Sequence, residues 1–482
     1  MTRRLFLLLM TLLLIGLSWW GVTAARAGLI VRSLEQEGVP MLYMAPQRVQ
    51  KVPGVLIAHG FAGSKQLMLG YGHVLAQSGY AVMLWDFDGH GANPAPLQHF
   101  ELQRNLDAAF TALLQQSQVD PTRLALLGHS MGSGLVMSAG IRLSNSFAAT
   151  VAISPTGAQV TPQAPRNLQL QAGGWEGRFV ENAQRLLAAA GGENKNLSEG
   201  IGRELVIVQQ VEHITILFSN ASHQAALRWL DATFNQSHSS SYVDHRMLWY
   251  GLHLLGWLLL LNAVAPALAL PVTTLMMKAR PVRNWGGLLL APLVAGGTLP
   301  LVNQVVKLQN LGGLIVGSAI GIWFLVAGLV WLALLFRLPR PTVRVVGLGV
   351  LLFGLLWVAF GLMAQVVWLQ WWLIPARLKL WLPLSLACLP WFLASGMVQQ
   401  GVGVGRRVLW WLGQSIVLVG GFVLALYLLP QLGFIFLLLP LFPPLMAILS
   451  FAATQVREVW AYALGSALFF GWIIAAAFPL TS

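Results

Sequence analysis

Residues 124–137 read Leu124-Ala125-Leu126-Leu127-Gly128-His129-Ser130-Met131-Gly132-Ser133-Gly134-Leu135-Val136-Met137. A short apolar run that ends in Gly-x-Ser-x-Gly and passes into small and apolar residues predicts a strand, a sharp turn and a helix, with Ser130 on the turn. The spacing has a mechanical cause. A residue on so tight a strand-to-helix turn holds a strained backbone conformation, and only glycine leaves room two positions to either side, here Gly128 and Gly132. The same turn lifts the serine hydroxyl out of the sheet and aims the first backbone N–H groups of the helix, Met131 foremost, at the reacting atom. His129 completes the motif.

Upstream, Val55-Leu56-Ile57-Ala58-His59-Gly60-Phe61-Ala62-Gly63-Ser64 reads as a buried strand running into a glycine-containing loop. Such a loop can supply a second backbone donor to a developing oxyanion, because an N–H approaches one closely only where neighbouring side chains are small. That donor is assigned to the Phe61 amide, as partner of the Met131 amide. Gly60 supplies the room, and His59 reads as a loop-bracing hydrogen bonder rather than a base.

Around these two stretches, residues 28–245 alternate short β-branched or Leu-rich runs with amphipathic stretches, which predicts an α/β domain on a mostly parallel sheet. Strands are expected at 29–35, 41–45, 55–59, 81–85, 124–128, 148–153, 168–172 and 205–211. Helices are expected near 66–78, 97–117, 131–143, 178–190 and 221–234, and the polar stretch Asn235–Ser241 reads as the linker out of the domain.

Three elements together resemble the α/β-hydrolase superfamily, particularly its compact esterase, monoacylglycerol-lipase-like and dienelactone-hydrolase-like branches. They are the His59-Gly60 loop, the stretch Asp86-Phe87-Asp88-Gly89-His90-Gly91-Ala92-Asn93 and the Gly128–Gly132 elbow. The family pattern in the second is D-x-R-G-H-G-x-S, so Asp88 stands where an arginine is usual. That leaves the ion pairing of this loop open. The resemblance covers residues 28–240 or so and implies no large cap, since only 154–167 separate the sixth and seventh expected strands.

The resemblance also implies the chain order serine, acid, histidine. After the strand 168–172 comes Gly173-Gly174-Trp175-Glu176-Gly177, which makes Glu176 the acid, with Glu181 as the weaker candidate. After the strand 205–211 comes Glu212-His213, which makes His213 the base in preference to His223, a residue at the start of the final helix. His73, His90 and His99 fall in loops or on helix faces away from this position.

The remainder of the chain is of another kind. Of the 482 residues 56% are hydrophobic and 9% charged, with mean hydropathy +0.68, against roughly 25% charged in soluble domains. Residues 5–25 form one apolar run after Arg3-Arg4, an uncleaved anchor in preference to a signal peptide cut near Ala25-Arg26-Ala27. From 246 to 482 about eight further apolar segments follow, for about nine spans in all.

The net charge of +13 lies outside the α/β domain: residues 27–245 carry 13 Lys and Arg against 15 Asp and Glu. Nucleic acid is thereby excluded as the expected partner. With the N-terminus cytoplasmic, inside loops hold eleven Lys and Arg (Arg3, Arg4, Lys278, Arg280, Arg283, Arg337, Arg340, Arg344, Arg406, Arg407, Arg457) and outside loops three (Lys307, Arg377, Lys379). That bias places the α/β domain on the extracytoplasmic side. The stretches 430–444 and 371–380 are the best candidates for re-entrant structure, and Trp368–Trp372 and Trp410-Trp411 for interfacial belts.

No acidic residue lies inside an expected span, which argues against an ion-coupled transporter, and the single cysteine, Cys388, excludes an intrachain disulfide and a cysteine-based metal site. The expectation is a membrane-bound serine hydrolase needing no metal or cofactor, with the bilayer and an amphiphilic acyl ester as its partners. The alternatives are a peptidase or amidase on the same triad, and a transport or assembly protein whose hydrolase-like domain binds without turnover.

Overall fold

A computed structural model of the chain describes residues 3–98, 101–237, 241–268, 281–335, 338, 340–456 and 458–482. His99 and the loop cations Lys278, Arg280, Arg337 and Arg457 lie outside the described residues. Two compact units divide the chain, one of residues 18–250 with 364–372, the other of residues 1–17, 251–363 and 373–482.

The first unit is built on one eight-stranded sheet. Its strands are β1 (Leu29–Gln36), β2 (Val39–Pro46), β3 (Val52–Ala58), β4 (Ala81–Trp85), β5 (Val119–His129), β6 (Ala149–Ile153), β7 (Leu168–Gly173) and β8 (Arg203–Val208). They are ordered β1-β2-β4-β3-β5-β6-β7-β8. β2 runs antiparallel to both β1 and β4, and every later pairing is parallel. The inner strands β3, β4 and β6 are buried at every residue, as unbroken apolar runs must be when helices cover both faces.

In chain order the helices are α1 (Arg3–Ala24), α2 (Leu69–Gln77), α3 (Leu102–Leu114), α4 (Met131–Arg142), α5 (Gly177–Ala189), α6 (Asn220–Phe234) and α7 (Arg246–Leu268). α2 and α6 bury Val74, Leu75, Leu227 and Leu230 with Val55, Ile57 and Leu127 on one face of the sheet. On the opposite face α4 and α5 bury Met137, Ala183 and Leu186 with Leu168 and Leu170. All eight expected strands form. The helix expected over 97–117 begins only at Leu102, and the stretch expected as one helix from 66 divides into a 3₁₀ turn, Lys65–Met68, and α2. Residues 154–167 carry no helix, so no cap interrupts the domain there.

The second unit continues α7 with α8 (Pro281–Val305), α9 (Gly317–Leu335), α10 (Val343–Leu356), α12 (Pro375–Gln399), α13 (Val404–Leu428), α14 (Phe442–Gln455) and α15 (Val459–Ala477), and between α10 and α12 lies α11 (Met363–Val367), which belongs from Ala364 onward to the first unit. Residues 357–362 form a π-turn that joins α10 to α11, and Pro430–Leu441 wind as a 3₁₀ helix before α14. Among the described residues, nine helices are long and apolar enough to cross a membrane, α1 included.

Close approach through small residues holds this unit together, as is usual between helices that gain little from apolar burial in lipid. A Cβ on Gly328 would strike the Trp391 backbone, and one on Gly471 would strike Ser385. Arg377, 1% exposed, caps α15 by donating to the carbonyls of Ala475 (2.7 Å) and Phe478 (2.6 Å). Two tryptophans expected in interfacial belts are instead buried. Trp410 stacks on Trp285 at 4.1 Å, and Trp371 lies fully buried in the sheet-bearing unit.

Candidate active site

Ser130 joins β5 to α4 with φ 52° and ψ −120°, a region of backbone space that L residues enter only when their surroundings hold them there. The flanking glycines are required by contact. A Cβ on Gly128 would meet the Gly132 carbonyl, and one on Gly132 would lie 2.5 Å from the His59 carbonyl oxygen. Gly60 has the same constraint, since a Cβ there would come within 2.9 Å of the His129 ring and 3.1 Å of Ser130 Cβ. The His59-Gly60 loop is thus pressed directly against the serine.

β7 delivers Glu176 and β8 delivers His213 to the same end of the sheet. His213 Nε2 lies 3.0 Å from Ser130 Oγ, and His213 Nδ1 lies 2.8 Å from Glu176 Oε2. Both His213 and Glu176 are buried, at 4% and 7% exposure. Because an ionised carboxylate only accepts, Nδ1 carries the proton and Nε2 faces the serine hydroxyl as an acceptor. The other carboxylate oxygen of Glu176 accepts from Ser154 Oγ (2.7 Å) and from the Gly173 N–H (2.5 Å). Phe179 stacks on the imidazole with ring centres 4.3 Å apart.

The peptide groups on either side of the serine hydroxyl are each tied back by their carbonyls. Gly60 O accepts from the Gly63 N–H at 3.0 Å and from His59 Nδ1 at 2.7 Å. His59 Nε2 in turn accepts from the Phe87 N–H at 3.2 Å, which fixes the tautomer. Burial brings this imidazole down to about 4, so it is neutral at pH 7. Ser130 O accepts from the Ser133 N–H (2.8 Å), Ser133 Oγ (2.5 Å) and Thr156 Oγ1 (3.1 Å). In a trans peptide the N–H points opposite to the C=O. The Phe61 and Met131 N–H groups are therefore directed away from these anchors, and Met131, as the first residue of α4, has no acceptor within its helix.

His129 is 2% exposed and donates from Nε2 to the backbone carbonyl of His213 at 2.9 Å. Burial first, and the neighbouring His213 second, hold it well below the usual imidazole range. The alternatives fall elsewhere. His223 donates to Leu217 O at 2.8 Å with its ring edge on Tyr71, and Glu181 is exposed on α5. His90 and His73 are both buried, His90 with Nδ1 on Asp88 O.

The question left by Asp88 has a local answer. Its carboxylate, 2% exposed, accepts from Arg104 (2.8 Å), Asn93 (3.0 Å) and Asn105 (2.9 Å). Ser133, Ser154, Thr156 and Phe179 are site residues with no motif to mark them: Ser133 and Thr156 hold the Ser130 carbonyl, Ser154 holds the Glu176 carboxylate and Phe179 stacks on the His213 ring. Among the described residues, no group of His, Cys, Asp and Glu could hold a metal ion.

The arrangement can draw a proton from a hydroxyl and hold the resulting imidazolium against a carboxylate. Residues 50–233 match the family described as serine aminopeptidase, S33. Two uncharacterised proteins of Mycobacterium tuberculosis strains are 34% identical over 103 residues, which is 21% of this chain and 36% of theirs. The match thus spans about a third of the length of these curated relatives. Among solved structures, a dienelactone hydrolase from Anabaena variabilis is 18% identical with TM-score 0.32, covering 42% of this chain and 95% of its own. A hormone-sensitive lipase from a metagenome library is 18% identical with TM-score 0.35, covering 48% and 98%. The unit built on the eight-stranded sheet is an α/β-hydrolase domain.

Proposed function

We propose that this protein is a membrane-embedded serine hydrolase that cleaves acyl esters, with Ser130 as nucleophile, His213 as general base and acid, and Glu176 as the group that orients and stabilises the imidazolium. The observation that carries the reading is the unbroken chain from Glu176 Oε2 through His213 to Ser130 Oγ, at 2.8 and 3.0 Å, on a serine with positive φ. In acylation His213 Nε2 takes the hydroxyl proton as Oγ adds to the carbonyl carbon, and returns it to the leaving oxygen as the tetrahedral intermediate collapses. Water then repeats the sequence on the acyl-enzyme. The Phe61 and Met131 amides stabilise the oxyanion in both halves, with His59, Gly60, Gly128, His129 and Gly132 as supports.

An amphiphilic substrate is favoured by three features. Among the described residues nine helices are of membrane-spanning length, no cap covers the domain between β6 and β7, and Trp175, 70% exposed, stands next to Glu176. A tryptophan so exposed suits the boundary between water and lipid. The excess of Lys and Arg in alternate loops supports a cytoplasmic N-terminus and an extracytoplasmic hydrolase domain.

The family description favours a second reading, a peptidase or amidase on the same triad. The test is labelling of the full-length protein by a fluorophosphonate, with Ser130→Ala and His213→Ala as controls, followed by turnover of matched ester and anilide substrates. Labelling lost in Ser130→Ala and strongly reduced in His213→Ala is expected. A folded wild type that stays unlabelled would overturn the hydrolase reading and favour a binding role.

A further inference from the structure

The sheet-bearing unit includes one stretch that is remote in sequence. Residues Ala364–Trp372, Ala-Gln-Val-Val-Trp-Leu-Gln-Trp-Trp, make up most of α11 and the turn after it, yet they pack with residues 18–250. Three points fasten the stretch. Arg246, itself 2% exposed and ion-paired with Asp244 at 2.7 Å, donates to Val366 O at 3.3 Å. The ring of Tyr250 meets that of Trp368 edge-on at 6.2 Å. Gln66 Nε2 donates to Gln370 Oε1 at 2.6 Å.

The turn at 369–372 is itself shaped by glutamine amides. Gln365 Oε1 accepts from the N–H groups of Trp371 (2.6 Å) and Trp372 (3.1 Å). Gln365 Nε2 reaches Gln370 Oε1 at 3.2 Å, and Gln370 Nε2 donates to Trp372 O at 3.0 Å. Gln370 is 7% exposed and Trp371 fully buried. Among the described residues the buried Oε1 of Gln66 has no hydrogen-bond partner, and Gln370 is the one group there that holds this amide. A buried amide with a single partner has no alternative when that partner is lost.

Gln66 sits in the 3₁₀ turn Lys65–Met68, immediately behind the loop 60–64. Lys65 binds this turn to Asp86 through its N–H at 2.8 Å and through its ammonium group. The side chain of Leu67 packs on Gly63, 3.2 Å from where a Cβ would stand, and the Gly63 N–H holds Gly60 O. Gly60 O sets the direction of the Phe61 N–H. A continuous path of contacts thus runs from Gln370 through Gln66, Leu67 and Gly63 to one of the two amides assigned to the oxyanion.

We infer that the 364–372 segment is a positioning element for the oxyanion-side loop, acting through the Gln370–Gln66 hydrogen bond. The inference rests on the hydrolase reading above. It gives this sequence-remote segment of the sheet-bearing unit a part in the chemistry: with the segment in place the Phe61 amide is held where a tetrahedral oxyanion forms, and with it displaced the serine and imidazole remain but that donor is lost. Misplacement by about 1 Å at such a site costs on the order of 10²-fold in rate.

The test uses the full chain in detergent or lipid discs, with Gln66→Met, Gln370→Met and the double variant, which keep side-chain length while removing the amides. Titratable serine is counted by exhaustive fluorophosphonate labelling, and the rate constant per titratable serine is measured with a short-chain nitrophenyl ester. Each single variant is expected to lower kcat per titratable serine about tenfold or more, with KM and the pH midpoint of kcat near wild-type values. The double variant should lose no more than the worse single one, as for two ends of one contact. Variants that lose titratable serine but keep the wild-type rate constant for what remains would overturn the inference, as would independent, multiplying losses. An unlabelled wild type would overturn the hydrolase reading itself, which separates the two failures.

Discussion

His129 donates from Nε2 to the backbone carbonyl of His213 across 2.9 Å, so the residue before the serine grips the loop that carries the imidazole. The contact ties the elbow to the His213 loop. His129→Ala leaves that buried carbonyl without its donor, a cost of about 1–3 kcal/mol, and releases the His213 loop. Thermal unfolding should register the destabilisation, and kcat for an ester should fall about tenfold or more. His129→Gln, whose amide can donate to the same carbonyl, is expected to recover much of both. Equal activity in all three proteins would show that the contact does not position His213.

Glu176 accepts at both of its oxygens, from His213 on one and from Ser154 and Gly173 on the other. Glu176→Gln must present its NH₂ either to the imidazole or to the Ser154 and Gly173 donors. Either choice favours the wrong tautomer or leaves a clash of donors. A fall in kcat of about 10³–10⁴-fold is expected, comparable in kind to triads whose acid is amidated. Ser154→Ala removes one donor and should cost about tenfold or less. Nitrophenyl-ester turnover per titratable serine measures both.

Three donors from Ser133 and Thr156 hold the Ser130 carbonyl, and through it the direction of the Met131 N–H. Ser133→Ala with Thr156→Val removes the two hydroxyls and leaves the backbone bond. Loss of a complete oxyanion donor typically costs about 10²–10³-fold. Loosening one should reduce kcat by a smaller factor, about tenfold, at little change in KM. A rise in KM without loss of kcat would point to a role in substrate binding instead.

Asp88 is buried against Arg104, Asn93 and Asn105. Asp88→Arg, which restores the residue usual in the resembling family, would set two cations together and leave two amides without their acceptor. Destabilisation of about 3–5 kcal/mol is expected from such a broken buried set. Asp88→Asn should cost less. Chemical denaturation of the two variants against wild type decides the order.

Buried histidines give the domain a defined acid sensitivity. His59, brought by burial to about 4, and His129, His73 and His223, also lowered by burial, stay neutral in the fold. In the unfolded chain they take up a proton below about 6.5. The unfolded state then binds more protons, so stability is unaffected above 6.5 and falls as pH drops from there toward 4. Each group contributes a slope of up to about 1.4 kcal/mol per pH unit. Unfolding temperatures measured from pH 7.5 to 4.5 should decline below 6.5, and His223→Gln should make the decline shallower.

Local chemistry made much of this legible in the sequence. Strand-length apolar runs between turn residues marked β3 and β4, which are buried on both faces and carry nothing polar, while β1, β7 and β8 were legible although polar residues interrupt them. The elbow at 128–132 was readable because a positive φ at Ser130 and the approach of the Gly132 and His59 carbonyls leave glycine as the only solution. Glu176 and His213 could be chosen by their place after β7 and β8. Less visible were Ser154, Thr156 and Phe179, whose partners belong to other elements, and Ser133, whose hydroxyl bond to the Ser130 carbonyl no motif marks.

The tryptophans of 368–372 and 410–411 mark the limit of composition. In sequence they look alike, as amphipathic rings for a membrane boundary. In the fold Trp372 is 52% exposed, while Trp371 is fully buried and Trp410 is stacked on Trp285.

The sequence by itself determined the eight strands, the strained serine, the places of Glu176 and His213 just after β7 and β8 and the presence of helices long enough to span a bilayer. Each follows from interactions within a few residues, or from apolar length alone. Tertiary structure alone decided the Thr156 hydroxyl on the Ser130 carbonyl, the Ser154 hydroxyl on Glu176 and the packing of residues 364–372 with residues 18–250. Those depend on hydrogen bonds between groups up to 304 residues apart, as in Gln66 and Gln370, and no local pattern encodes which distant donor finds which acceptor.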